Sequence, residues 1–468
     1  MTSDVGLIGL AVMGQNLALN MESRGNTVSV FNRTTSKTMD FVERHPGNNL
    51  KACRTLEEFV DSIKSPRRIM LMVQAGRAVD AVVGQLVPLL DEGDTIMDGG
   101  NTYYEDTEKR AASLVDSGIH YMGVGVSGGE LGARFGPSLM PGGPPAAWAM
   151  VKDLLESIAA KAPDGEPCVA LLGPGGAGNA VKTVHNGCEY GVMQLIAETY
   201  HSIRRILGIS TNEIGHIFES WQNTELSSYL VEITAIVLGH SDEDGEPLVE
   251  RILDQAGAKG TGKWTVEMAL SIGAPVPTIG AAVDARNISS TKEERVAAST
   301  VLDAGLLPST ADEESYVTTM QEALYCAILI TYAQALSLLD KLSAERNYNL
   351  DLAAVASLWR AGCIIRAGFL DDISKALQEQ PDKSNLLLCE PFRTEVANRL
   401  PSLRKVVIAA TQHGIPVPAF TSALQYYDAY RTATLPANII QGLRDCFGAH
   451  TYKRTDRPGS FHTEWITE

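Results

Sequence analysis

The chain has 468 residues, 44% of them hydrophobic and 20% charged, and a formal net charge of −17 at neutral pH. That length calls for about two to four domains with a large buried interior, and the balance excludes a disordered or fibrous chain. The negative field excludes a general affinity for nucleic acid or anionic lipid, so any anionic ligand must be held by local basic groups.

Seven cysteines lie without CxxC or Cys/His spacing, which points to a reducing compartment, by default the cytoplasm, and away from a metal site. The opening "MTSDVGLIGLAVMG" reads as a strand entering a turn rather than a signal peptide. Short β-rich runs follow: "DVGLIGL", "TVSVFN", "RIMLMV", "TIMDGG", "HYMGVGV" and "CVALLG", each about one helix from the next. This alternation predicts a Rossmann-type α/β domain with a doubly wound parallel sheet over residues 1–177.

Gly9, Leu10, Ala11, Val12, Met13 and Gly14 fall between the first strand and an apolar helix. Small residues there let the backbone turn tightly against a pyrophosphate held at the helix N-terminus. Ala11 replaces the middle glycine of the usual fingerprint, so the context of strand, turn and helix carries the assignment. The second strand ends in Asn32, Arg33 and Thr34 instead of the carboxylate expected of an NAD site. A guanidinium and a hydroxyl suit a 2′-phosphate, which predicts NADP.

"GVGVSGGELGARFGPSLMPGG" puts Ser127, Gly128 and Gly129 at the end of a strand, where backbone amides can grip a carboxylate or hydroxyls. After the glycine-rich "LLGPGGAGNA" strand patterns stop, and helical periodicity covers 178–206, 211–239, 314–343 and 349–374. A large all-α domain is expected over 178–432. Within its first helix, "VKTVHNGCEYG" spaces Lys182, His185, Asn186 and Glu189 at i, i+3, i+4 and i+7, an arc of about 100°. The rest of that helix is apolar or small, so the four polar groups belong to a cleft wall rather than a solvated face. Burial there lowers a lysine pKa and raises that of a glutamate. Lys182 can then act as a base toward a substrate hydroxyl and Glu189 as an acid, while His185 and Asn186 orient the substrate; spacing alone leaves His185 equally readable as a core histidine.

Lys259 and Thr261 in "KGTGKW", with Arg286 in "VDARNISS", form a second anion-binding set. "ALYCAILITYAQALSLL" contains Thr331, Gln334 and Ser337 and is expected to be a buried core helix. The stretch 433–468 is rich in turn formers and aromatics and carries two more anion-binding candidates, Arg444 and His450. It is too irregular to fold alone and must dock on something.

At "GLAVMGQNLALN", "NRT", "DGGN", "VSGGE", "GPSLMPGG", "KTVHNGCEYG", "ELSSYL", "KGTGKW" and "LPANIIQGLRDCFGAHTYKRTDR" the chain closely resembles the 6-phosphogluconate dehydrogenase family over nearly its whole length. The resemblance implies oxidation of 6-phospho-D-gluconate at C3, loss of CO2 and tautomerisation to ribulose 5-phosphate, with NADP reduced and no metal. It implies Lys182 as base and Glu189 as acid, with Asn101, Ser127, Gly128, Gly129, His185 and Asn186 on the sugar acid. Tyr190, Lys259, Thr261 and Arg286 would meet the phosphate. Val73, Gln74, Ala75 and Asn101 would border the cofactor. The tail, with Arg444 and His450, would reach the partner's site in an obligate homodimer.

The chain departs from the family pattern at Gln74 (usually Lys), Leu131 (usually Glu), Val192 (usually Asp), Thr224 (usually Gly), Thr183 and the pair Asn179, Ala180. Two other readings compete. A β-hydroxyacid dehydrogenase acting on an unphosphorylated acid would leave Arg286, Arg444 and Lys259 as an unexplained excess of buried charge. A noncatalytic NADP-sensing protein predicts loss of the catalytic pair, which is present.

Overall fold

The computed structural model describes residues 2–303, 305 and 313–466. The chain forms two compact units, Met1–Ala423 and Leu424–Glu468.

The first unit opens on a seven-stranded sheet: β1 (Val5–Ile8), β2 (Val28–Phe31), β3 (Leu50–Ala52), β4 (Arg68–Leu71), β5 (Thr95–Asp98), β6 (His120–Val126) and β7 (Leu139–Gly142), in the order β3-β2-β1-β4-β5-β6-β7. All neighbours are parallel except β6 and β7. The central strands are buried on both faces, which is why they read as continuous apolar runs. β2 and β4 flank β1 on opposite sides, so the crossover direction reverses beside β1. A crevice at the C-terminal strand ends follows from that reversal.

Two strands escaped the pattern. β3 is a three-residue edge with exposed Lys51, too short for an alternation, and β7 contains Pro141 amid glycines that resemble a loop. Conversely, "CVALLG" is not a strand. Val169 makes one isolated bridge to Leu139, and neighbouring backbone donors go to separate acceptors, Cys168 to Ala160 and Leu172 to Pro141, so no ladder forms.

The helical part follows. Ala177–Leu207 is a single helix of 31 residues, ended by Gly208 in the left-handed region (φ 70°). It packs on β6 and β7 and against the helices Thr261–Ser271, Pro277–Ser289 and Glu313–Arg346. Among the described residues, one helix, Ser315–Arg346, is long and apolar enough to cross a membrane, and 89% of its apolar window is buried in the protein, as expected of a core helix.

The pattern over 211–239 breaks into Thr211–Ser220, a 3₁₀ turn at Trp221–Asn223 and Tyr229–Gly239, because Thr224 is extended and Ser228 caps a new helix through the Val231 amide. The pattern over 349–374 breaks into Leu352–Leu358 and Leu370–Glu379. Between them Gly362 (φ 65°) presses its backbone on Gly136 and Pro137, and its carbonyl accepts from the Ser138 amide. Tertiary contact overrides helical periodicity there.

The second unit contains the helix Ala437–Gly448 and a final loop pinned by a bridge between Tyr452 and Phe461.

Candidate active site

Most of the sequence-derived residues of the first unit collect on the C-terminal edge of the sheet. Gly9 follows β1, Asn32 follows β2, Val73, Gln74 and Ala75 follow β4, Asn101 follows β5 and Ser127 follows β6.

The turn after β1 closes only because side chains are missing. Gly9 has φ 103°, and a Cβ there would sit 2.4 Å from the Met72 carbonyl oxygen; one on Gly14 would lie 1.9 Å from that of Gly9. Ala11 is the exposed N-cap of the next helix and offers no side chain to its first amides. The helix N-terminus is therefore open to an anion. Asn32 Oδ1 accepts from the Leu10 amide (3.1 Å), and the Asn32 amide donates to Thr38 Oγ1 (3.0 Å). Asn32 thus braces the turn, leaving Arg33 and Thr34 as the exposed pair.

Asn101, also exposed, is held through buried Asp98, which accepts from the Gly100 amide (3.0 Å), Thr102 Oγ1 (2.7 Å) and Tyr121 OH (3.0 Å).

Alternate glycines bring the long helix onto β6. A Cβ on Gly123 would meet Asn179 at 1.8 Å, and one on Gly125 would meet Lys182 Cβ at 2.5 Å. This approach sets Lys182 against Gly125, two residues before Ser127. On the helix's other sides Gly187 lets the Thr265 side chain, and Gly191 that of Thr331, come close to its backbone.

His185, fully buried, links the wall: Nε2 lies 3.2 Å from Ser127 Oγ, and Nδ1 lies 3.4 Å from Lys182 Nζ and 3.1 Å from Asn186 Oδ1. Trp359 packs edge-on against the imidazole at 5.7 Å. The ring therefore lies in a polar chain rather than an apolar core.

Burial pulls the Lys182 pKa down to about 8, against the opposing pull of Glu189. Burial, then the Lys182 charge, holds His185 well below its ordinary value. Glu189 is pushed up by burial, offset by Lys182, Arg286 and Lys259. One helix therefore carries an ammonium that gives up its proton more readily and a carboxyl that holds its proton more tightly than in water.

Near Glu189, the Arg286 guanidinium lies 3.4 Å from the Tyr190 ring centroid and donates to the Gly257 carbonyl (3.0 Å). Gly262 makes room for that ring, since a Cβ would meet it at 2.4 Å. Thr261 is buried and Lys259 exposed. A cavity of about 370 Å³ opens along Gly128, Gly129, Leu131, Glu189 and Met193. Another of about 440 Å³, between the helices Thr211–Ser220 and Tyr229–Gly239, shares no residue with this set.

Arg444 and His450 belong to the second unit, where both are exposed. Sequence reasoning missed Gly123, Gly125, Trp359 and Gly362, which shape the wall without bearing its chemistry. The alternation in "GVGV" was the available signal for the first two.

Two family models cover the chain: the NAD binding domain of 6-phosphogluconate dehydrogenase over residues 4–173, and the 6-phosphogluconate dehydrogenase C-terminal domain over 178–465. A Lactococcus lactis protein named 6-phosphogluconate dehydrogenase, decarboxylating, is 53% identical over 468 residues, covering 100% of this chain and 99% of the relative. A Bacillus subtilis protein named as the NADP(+)-dependent, decarboxylating enzyme is 51% identical, covering 99% of both chains. The solved Plasmodium falciparum 6-phosphogluconate dehydrogenase, described in its apo form, with its cofactor NADP+ and with its substrate 6-phosphogluconate, is 44% identical. It superposes with a TM-score of 0.95 over 99% of this chain and 100% of that one. With both halves matched and relatives more than half identical end to end, the chain belongs to the 6-phosphogluconate dehydrogenase family.

Proposed function

We propose that the protein oxidises 6-phospho-D-gluconate at C3 and decarboxylates it to D-ribulose 5-phosphate and CO2, with NADP as acceptor. The observation that carries the mechanism is the buried chain Ser127–His185–Lys182, with Glu189 two turns further along the same helix at the C-terminal edge of the sheet. NADP suits the residues present: the cradle at Gly9 and Gly14 admits no side chain, and exposed Arg33 and Thr34 stand where the 2′-phosphate would lie. When bound, NADP supplies the hydride acceptor.

Lys182 in its neutral form takes the proton of the C3 hydroxyl as the alcohol is oxidised. It returns that proton to the new carbonyl oxygen as the carboxylate leaves as CO2. Glu189, whose hold on a proton burial strengthens, then donates to C1 of the enediol as neutral Lys182 takes the enediol hydroxyl proton, leaving the ketone. His185 follows the proton on Lys182. An ammonium can only donate, so it requires a bare Nδ1, and Nε2–H then points at Ser127 Oγ. Once Lys182 is neutral, Nδ1–H can donate to Asn186 Oδ1 and Nε2 accepts from the Ser127 hydroxyl. Ser127, Gly128, Gly129, Asn101 and Asn186 hold the sugar acid; Tyr190, Lys259, Thr261 and Arg286 hold its phosphate end.

The protein works as a homodimer in which Arg444 and His450 complete the partner's phosphate grip. Ile439, Ile440, Leu443 and Phe447, each at least 59% exposed on the helix Ala437–Gly448, support a tail made to be covered. The seven cysteines, all unpaired thiols, suit a reducing cytoplasm. The decisive experiment follows NADPH absorbance with 6-phosphogluconate while trapping CO2. NADPH and CO2 in equal amounts are expected; NADPH without CO2 would replace this reading with that of a simple hydroxyacid dehydrogenase.

A further inference from the structure

Asp445 stands out in the second unit. It is fully buried, while its helix neighbours Leu443, Arg444 and Cys446 are exposed. Oδ1 accepts from the Thr451 amide (2.9 Å) and lies 3.0 Å from His462 Nδ1, while Oδ2 accepts from the Thr463 amide (3.0 Å) and Trp465 Nε1 (2.8 Å). Burial works against its charge, but these bonds, led by His462 and Trp465, outweigh it and hold the pKa down to about 2. One carboxylate therefore gathers the helix end, the turn after it and the final strand-like segment.

The turn it holds contains His450, flanked by two left-handed residues that are not glycine, Ala449 (φ 50°) and Thr451 (φ 57°). A β-branched residue rarely adopts that conformation unless its surroundings impose it. Here the Ala449 amide donates to the Asp445 carbonyl oxygen (2.9 Å) and the Thr451 amide to its carboxylate, so both flanks of His450 are tied to one residue. Arg444 joins the same circuit: its guanidinium donates to Gln441 Oε1 (3.1 Å), and Gln441 Nε2 donates to the Thr451 carbonyl oxygen (2.6 Å).

We infer that Asp445 is a positioning residue for phosphate recognition, holding Arg444 and His450 as a preformed pair through the Thr451 turn. This rests on the reading above that the tail meets the substrate phosphate. Asp445→Asn puts an NH2 group or a single neutral oxygen against donors on both sides, and the turn loosens.

The test measures steady-state constants of Asp445→Asn in the full-length enzyme, with Arg444→Ala as reference. KM for 6-phosphogluconate is expected to rise about tenfold, as for loss of a charge-assisted hydrogen bond, while KM for NADP and turnover of unphosphorylated gluconate stay at parent values. A merely structural role would move all of these together and would overturn the inference. Trp465→Phe removes one donor while keeping an aromatic ring and the carboxylate, so a smaller rise in the same constant is expected even if Asp445→Asn folds poorly; no rise there overturns the inference.

Mixed dimers separate the two readings. Pairing Lys182→Ala subunits bearing intact tails with Asp445→Asn subunits bearing an intact Lys182 gives one live site, and that site should show the parent KM. A KM that stays raised would place the tail on its own subunit, refuting the shared site while sustaining the role of Asp445. A raised KM in Arg444→Ala with none in Asp445→Asn would refute the role of Asp445 while sustaining the tail's contact with the phosphate. No effect in either would remove both.

Discussion

Replacing Lys182 by Met should stabilise the protein while abolishing its turnover, and the gain should depend on pH in a defined direction. Lys182 has a pKa of about 8 when folded, against an ordinary 10.5, because burial penalises the charged form. Below pH 8 the folded protein must hold an ammonium that water solvates better, and the gap between the two values is worth about 3 kcal/mol. As pH rises from 8 toward 10.5 the folded lysine is already neutral while the unfolded one still binds a proton, so the penalty shrinks and then vanishes. The Met variant should therefore exceed the parent by about 3 kcal/mol near pH 7 and lose that advantage by about pH 10.5, whatever constant offset repacking adds. Paired denaturant or thermal melts from pH 7 to 10.5 measure this. A stability difference that stays flat across that range would mean the lysine is not desolvated, and the mechanism would lose its base. The same value makes about a tenth of Lys182 neutral at pH 7, so kcat/KM of the parent should rise about tenfold per pH unit below 8 and level off above it.

Three further outcomes are expected. Arg33→Glu should raise KM for NADP ten- to a hundredfold, about 1.5–3 kcal/mol for a charged hydrogen bond, with little effect on NAD; parallel kinetics with both cofactors checks it. Gly14→Ala forces a Cβ toward the Gly9 carbonyl, 1.9 Å away before relaxation, and should weaken NADP binding about tenfold, read by fluorescence titration with kcat compared alongside. Glu198 is buried on the long helix and accepts from the Ala419 and Phe420 amides; burial nonetheless raises its pKa to about 7. A carboxyl raised in this way stabilises the fold fully below about pH 4.5, and that contribution is lost as pH climbs through 7. Melts of Glu198→Gln against the parent should thus shift in the variant's favour by about 3 kcal/mol between pH 4.5 and 8; a constant difference would disprove the assignment.

The helix Ala177–Leu207 shows how much was legible. Its polar arc, its small rear residues at 187 and 191 and its length all follow from local spacing, because a 3.6-residue period places side chains without reference to the rest of the chain. Arg33 in place of a carboxylate was equally local, as was the glycine turn. Strands β3 and β7 were not: one is too short to alternate and the other carries a proline, so only pairing to neighbours makes them strands. The break at 362 also lay beyond reach, since the residues around it are periodic and the interruption comes from contact with distant backbone, whereas at 224 a periodic reading passes over the local Ser228 cap.

The sequence by itself therefore determined the chemistry available: a nucleotide turn, one lysine and one glutamate on a single helix face, and basic groups for a phosphate. Tertiary structure decided which of these meet. Lys182 lies against Gly125 because Gly123 and Gly125 let the helix down onto β6, and His185 became a link because Ser127 and Trp359 arrive from distant parts of the chain. Proximity between residues 58 positions apart, as for Ser127 and His185, is set by packing of whole elements, which no local period encodes.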